Sequence, residues 1–342
     1  MERWTRPTLG EIVVHELPTP SRTRTVLRRT VSTSALFVAW LVLIVGSPAW
    51  ILVGLLVDLG RRRWRFPLVR LFAFAVCWST TEILGVLAAS ALWCVGRAKH
   101  QDSNYALQRW WANALMTALR VTCGVTVEVG GDPQLPEGPM IVLSRHVSLA
   151  DSLVSAWVLG NKRGRRPRYV LKKELAFDPC LDIVGHRLPN HFVDRESPNL
   201  TGESSSLSAL ATDLGPSDAV VIFPEGTRSN DAKRARRLAE LGERNPARAS
   251  RLGGLRYLLP PKPAGVVSLL AVSEHANVVV CAHVGFDGMD SFKGMIKRFG
   301  EAPVRSRFDL RLVPRPDNDP VEWLDSLWVQ LDDRVAAMEA MK

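Results

Sequence analysis

Cysteine is scarce and unpaired in this chain: Cys77, Cys94, Cys123, Cys180 and Cys281 are five among 342 residues, and no C-x-x-C pair occurs. An odd, scattered set argues against a disulfide framework or a cysteine zinc site and suits a reducing compartment. Acidic charge is short as well, with 34 Asp and Glu against 44 Lys and Arg, a net charge of +10 and a pI near 9.8. Such a surplus calls for an anionic partner, either nucleic acid or a membrane surface. Aromatic residues make up 7% of the chain and do not interleave with the basic runs at 162–166, 233–237 and 244–262. A stacking platform for single-stranded nucleic acid is therefore missing, and no nucleic acid is expected as a partner. Repeats and low-complexity tracts are absent, and so is the G-x-S-x-G elbow of serine hydrolases. His186, His191, His275 and His283 share no metal-ligand spacing, so neither metal nor other cofactor is expected.

What the chain has in quantity is apolar surface: 46% hydrophobic residues at a mean hydropathy of +0.03, high for a chain with 23% charged residues. Much of it is concentrated early. Residues 1–33 read as a polar, Pro-containing arm with Arg22, Arg24, Arg28 and Arg29 near its end. Ser34–Leu59 and Leu68–Gly96 are apolar runs, with the basic cluster Arg61-Arg62-Arg63-Trp64-Arg65 between them. They begin too late and run too long for a cleavable signal peptide. The first run would be ~39 Å long as a helix, enough to span a bilayer core when tilted. Length alone favours two spans. Shallow hairpins, bent at Gly46-Ser47-Pro48, would instead keep every basic flank on one side of the membrane. Residues 34–100 are thus expected to be membrane-associated in either topology, and Glu82 to find a partner within the helical bundle or at a hairpin tip.

From Gln101 the composition becomes globular, and 101–342 reads as one domain. Leu107, Trp110, Trp111, Leu115 and Leu119 recur at helical spacing and predict an amphipathic helix over 103–121. Strands are expected at 125–129, 139–144, 168–172, 191–194, 218–223 and 277–284. Helices are expected near 148–160, 204–214, 231–244 and 321–341. This alternation implies an α/β fold, a mixed, largely parallel central sheet flanked by helices and preceded by the membrane-associated helical region.

Two stretches carry chemistry. Ile141–Leu143 is a short buried-strand pattern, and Ser148 and Asp151 are helix-starting residues, so His146 falls at a strand-to-helix turn. Across that turn, though not along one continuous helix face, Asp151 can meet the His146 imidazole and orient it as a general base. The second stretch, Asp218–Phe223, is another buried-strand pattern that runs into Pro224-Glu225-Gly226-Thr227-Arg228-Ser229. Strand ends of open α/β sheets are where ligands bind. Arg228 offers a planar fork for phosphate, with Thr227, Ser229 and backbone N–H groups as further donors.

His146-x4-Asp151, then Phe192-Val193-Asp194-Arg195, then Phe223-Pro-Glu-Gly-Thr-Arg228 resembles the glycerolipid (lysophospholipid) acyltransferase family, 1-acylglycerol-3-phosphate acyltransferases in particular. Leu171-Lys-Lys-Glu-Leu175 is similar to members of that family, and Leu258-Leu-Pro-Pro-Lys262 to its lysocardiolipin-acyltransferase-like branch. The chain departs from the family in the polar approach to Asp194-Arg195 and in lacking a clear Val-Pro block.

The resemblance implies an enzyme moving a fatty acyl group from acyl-CoA or acyl carrier protein to the free hydroxyl of a lysophospholipid. The first choice of acceptor is 1-acylglycerol-3-phosphate, giving phosphatidic acid. An acyltransferase or transacylase for another headgroup, such as lysocardiolipin, and a catalytically silent phospholipid-binding protein are the alternatives. His146 and Asp151 would be catalytic, with the hydroxyl supplied by the acceptor. Arg195 and Arg228 would hold its phosphate, with Glu225, Gly226, Thr227 and Lys172 completing the substrate site. The partners implied are the lysophospholipid, the acyl thioester and an anionic membrane surface. The protein is expected at the inner or cytoplasmic membrane, catalytic domain toward the cytoplasm.

Overall fold

The computed structural model describes residues 22–132, 134–193 and 209–341. Seven strands, Val125–Gly131 (β1), Met140–Ser144 (β2), Arg166–Lys172 (β3), His191–Val193 (β4), Asp218–Ile222 (β5), Asn277–Val284 (β6) and Val304–Val313 (β7), form one sheet ordered β1-β7-β6-β2-β5-β3-β4. β6, β2, β5, β3 and β4 run parallel, whereas β7 is antiparallel to β6 and carries β1 parallel at the edge. The fold class expected from the sequence is therefore the one observed.

β2 lies in the middle because its sequence, Met-Ile-Val-Leu-Ser, can be buried on both faces, and every residue of it is. By pleat alternation Met140 and Val142 enter one core layer, while Ile141 and Leu143 enter the other. The first layer is covered by Pro67–Cys94 (α3), Gln101–Ala118 (α4), Asp151–Trp157 (α5) and Phe292–Glu301 (α10). The second lies under Pro246–Leu252 (α8), Pro263–Val272 (α9) and Pro320–Ala340 (α11), where Trp328 is fully buried and its indole N–H donates to the Leu259 carbonyl at 2.9 Å. Asp231–Arg244 (α7) lends only Leu238 and Leu241 to that core.

The N-terminal helices do not stand apart from this domain. Pro179–Gly185 (α6) and α4 pack against α3, and Trp111 donates to Glu82 Oε1 at 2.6 Å. At the α3 C-terminal end Arg187 donates to the Ala89 carbonyl at 2.8 Å; just before its start Arg65 donates to Phe299 O of α10 at 3.4 Å. A helix ~42 Å long thus touches the α/β domain at both ends. Arg22–Val45 (α1) and Ser47–Gly60 (α2), broken at Gly46, run antiparallel beside it: Trp40 donates to Thr80 Oγ1 at 3.0 Å, and the Leu68 N–H to Asp58 Oδ2 at 2.9 Å. Their outer side leaves Phe37, Leu41, Leu52 and Leu56 exposed. α1 and α3 are long and apolar enough to cross a membrane.

Several expectations are corrected. Composition placed residues 22–33 in a polar arm, but they are the opening turns of α1, because Arg28 and Arg29 pair with the buried Asp182 of α6 at 2.7 and 3.1 Å. The pattern reading missed β7, although Val304, Phe308 and Leu310 point inward and Arg305, Arg307 and Arg311 outward in the alternation of a half-buried strand. It also missed α9 and α10. The helix expected over 204–214 falls partly outside the described residues.

Candidate active site

β2 and β5 are neighbours, with Leu143 opposite Ile222, so the loops after them emerge side by side at the carboxyl edge of the sheet. The loop after β2 carries His146 and the loop after β5 carries Pro224–Ser229. Two hydrogen bonds join them: the His146 N–H donates to Glu225 Oε1 at 2.7 Å, and the Ser229 N–H donates to the His146 carbonyl at 2.7 Å. The Phe223 ring lies against the imidazole, centroids 4.6 Å apart.

Asp151 does not cap α5. Its carboxylate turns back into the preceding loop, where Oδ2 accepts from His146 Nδ1 at 2.9 Å, Val147 N at 2.6 Å and Ser148 N at 2.8 Å. The Ser148 hydroxyl donates to Oδ1. This pairing protonates Nδ1 and leaves Nε2 as the basic nitrogen, with no partner among the described residues. The imidazole is 21% exposed and Asp151 1%. Burial opposes ionisation of Asp151, but the His283 and His146 imidazoles and the Ser148 hydroxyl outweigh it and hold the carboxyl at about 2. The result is a fixed, ionised carboxylate behind a partly open base.

Glu225 is fully buried and bridges three segments, since Oε2 also accepts from Leu259 N at 3.0 Å. Burial pushes its carboxyl up to about 8 against the pull of those two backbone donors. Its role is to tie the His146 loop to the segment Tyr257–Lys262, which is further anchored by Ser229 Oγ on Tyr257 O and Lys262 N on Pro224 O, both at 2.8 Å. Gly226 adopts φ +67°, a conformation that favours glycine, and lets the turn close under the Lys262 side chain. Thr227 and Arg228 continue the same turn. Arg228 Nη1 is buried with no hydrogen-bond partner, which leaves a cationic donor available to an anion.

The structure brings His146, Asp151 and Glu225 together through hydrogen bonds, with Gly226, Thr227 and Arg228 following in the same turn. Lys172 ends β3 with an exposed side chain, and no described contact ties it to His146 or Arg228. Lys173 belongs to the 3-10 turn that follows β3. Arg195 lies outside the described residues. No cluster of His, Cys, Asp and Glu able to hold a metal occurs among the described residues.

Three contributors left no local trace. Arg145 is 1% exposed, and its Nη1 donates to the His283 carbonyl at 2.7 Å while Nη2 pairs with Asp287 at 2.5 Å. In return His283 Nε2 donates to the Arg145 carbonyl at 3.0 Å, and its ring stacks on Phe308. Burial pushes the His283 imidazole below its usual range, against the opposing pull of Asp151. This reciprocal clamp between β6 and the end of β2 fixes the backbone immediately before His146.

Residues 126–286 match the protein-family model described as Acyltransferase. A curated 1-acyl-sn-glycerol-3-phosphate acyltransferase of Pseudomonas aeruginosa is 30% identical over 128 residues, 36% of this chain and 46% of that protein's length. The chain thus spans about half the length of that curated relative. A crystal structure of the 1-acyl-sn-glycerophosphate (LPA) acyltransferase PlsC from Thermotoga maritima superposes over 74% of this chain and 94% of that one, at 14% identity and a TM-score of 0.46.

Proposed function

We propose, from the match of residues 126–286 to the acyltransferase family model and the dyad they contain, that this protein transfers a fatty acyl group from a thioester to the hydroxyl of a lysophospholipid, 1-acylglycerol-3-phosphate in particular. The observation that carries the reading is the His146 imidazole, held by the buried Asp151 at 2.9 Å with Nε2 open. Nε2 accepts the proton of the acceptor hydroxyl as its oxygen attacks the thioester carbonyl. Asp151 stabilises the imidazolium that forms, and the proton then passes to the departing thiolate. The hydroxyl belongs to the substrate, so no protein nucleophile is needed. Arg228, unpaired in its turn, takes the acceptor phosphate. The donor is acyl-CoA or acyl carrier protein.

The same reading places the protein on a membrane by shallow embedding of α1 and α2 rather than by spanning. Contact of both α3 ends with one globular domain supports this, because a spanning helix would carry its ends to opposite sides of the bilayer. The catalytic domain then faces the cytoplasm, beside the basic corner Arg61–Arg65.

The test is transfer of labelled acyl-CoA by the purified full-length protein across a panel of lysolipids. His146→Ala should abolish transfer while the protein stays folded and vesicle-bound. Near-normal turnover in that variant would remove the mechanism.

A further inference from the structure

A second cation lies over the turn that carries Arg228. A Cβ built on Gly226 would meet Cδ, Cε and Nζ of Lys262 at 3.2, 3.2 and 3.3 Å, so the whole end of the lysine side chain lies across the glycine. Lys262 is held there by its backbone, whose N–H donates to the Pro224 carbonyl at 2.8 Å. Its side chain is exposed, and its ammonium has no hydrogen bond or ion pair among the described residues. The turn beneath it contains the buried, unpartnered Arg228 Nη1. Its one carboxylate, Glu225, has both oxygens turned away onto the His146 and Leu259 N–H groups. Among the described residues, therefore, Lys262 over Gly226 has no counter-ion and Arg228 Nη1, in the same turn, has no hydrogen-bond partner, next to the loop that carries His146.

We infer that Lys262 and Arg228 form one anion pocket over Gly226, and that the pocket selects a phosphomonoester dianion over a phosphodiester. The inference rests on the acyltransferase reading and deepens it. A lone guanidinium matches a singly charged diester as well as it matches a monoester. Adding the Lys262 point charge favours the group that carries a second negative charge at neutral pH, since a monoester loses its second proton near pH 6. Glycine suits this position because its φ of +67° disfavours other residues and a side chain there would crowd the end of the lysine. Both the acceptor's terminal phosphate and the 3′-phosphate of a CoA thioester have this chemistry.

The experiment uses the full-length protein with Lys262→Gln and Lys262→Arg, which should fold because the residue is exposed. Acceptors are 1-acylglycerol-3-phosphate and the diester 1-acylglycerophosphoglycerol; donors are an acyl-CoA and the matching acyl-dephospho-CoA. Lys262→Gln should raise KM for the monoester acceptor about tenfold, the scale of one charge-assisted hydrogen bond, with kcat and the diester largely unchanged. Lys262→Arg should restore most of the preference. If KM rises instead only for acyl-CoA and not for its dephospho form, the pocket holds the donor's monoester, and the dianion site stands with its source reassigned. Equal loss on all four substrates, or no change in any KM, would overturn the pocket. A wild-type protein that acylates no lysolipid would defeat the acyltransferase reading itself, an outcome distinct from either.

Discussion

Replacing Asp151 by asparagine separates two jobs that a carboxylate behind a histidine can do. Oδ2 sits among three donors, His146 Nδ1 at 2.9 Å, Val147 N at 2.6 Å and Ser148 N at 2.8 Å. An asparagine must place its carbonyl oxygen there, because an NH2 group would confront two backbone N–H groups that cannot accept. The NH2 then falls at the Oδ1 position, where the Ser148 hydroxyl can rotate to accept. His146 would keep its tautomer. In the serine-protease triad the same substitution inverts the tautomer and costs about 10⁴-fold. Here only the charge on one hydrogen bond is lost, roughly 1–2 kcal/mol, or about five- to thirtyfold in kcat.

The assay is steady-state acyl transfer at saturating lysophospholipid, with the melting temperature followed alongside. A loss beyond about 10³-fold with an unchanged melting temperature would show that the amide has flipped, and refute the reasoning from the two backbone donors. The same variant has a stability signature. A carboxyl that titrates at about 2 in the folded chain against 3.8 when exposed contributes about 2 kcal/mol at neutral pH. Its folded pKa is depressed, so that stability is present above pH ~4 and lost as pH falls through about 2. Melting temperatures at pH 5 and pH 3 should diverge for wild type by more than for Asp151→Asn.

Glu225→Gln should destabilise by about 1–3 kcal/mol, because an amide NH2 must face either the His146 or the Leu259 N–H. A melting temperature equal to wild type would contradict the bridging role. Since the folded Glu225 pKa is raised to about 8, its stabilising contribution is complete below 4.5 and lost as pH rises through 8, and that slope should vanish in the glutamine variant. Leu52→Asp with Leu56→Asp, on the exposed outer side of α2, should weaken vesicle binding at least a hundredfold, taking about 1.5 kcal/mol for each buried leucine. Unaltered, salt-resistant partition would place the membrane contact elsewhere.

The parts of the fold legible in the sequence are those written in consecutive residues. β2, β5 and β6 announce themselves as short apolar runs because they are buried on both faces. α7 was expected at 231–244 and spans Asp231–Arg244 because its few apolar residues recur on one face with Asn230 as cap. His146 and Asp151 could be paired because a loop of four intervening residues leaves few other geometries. β7 was legible in principle, since outward arginines alternate with inward apolar residues, whereas α9 has no polar stripe to mark its period.

By itself, then, the sequence determined the strands other than β7, the polar turn after β5 and the spacing of His146 and Asp151, because each depends on neighbours within a few residues. Only the tertiary structure decided that α3 packs into the α/β domain, that Arg145 and His283 clamp the His146 loop, and that Lys262 lies over Gly226. Those contacts join segments tens to more than a hundred residues apart. They form only when sheet order and helix layers bring the segments together, so no periodicity or spacing along the chain records them.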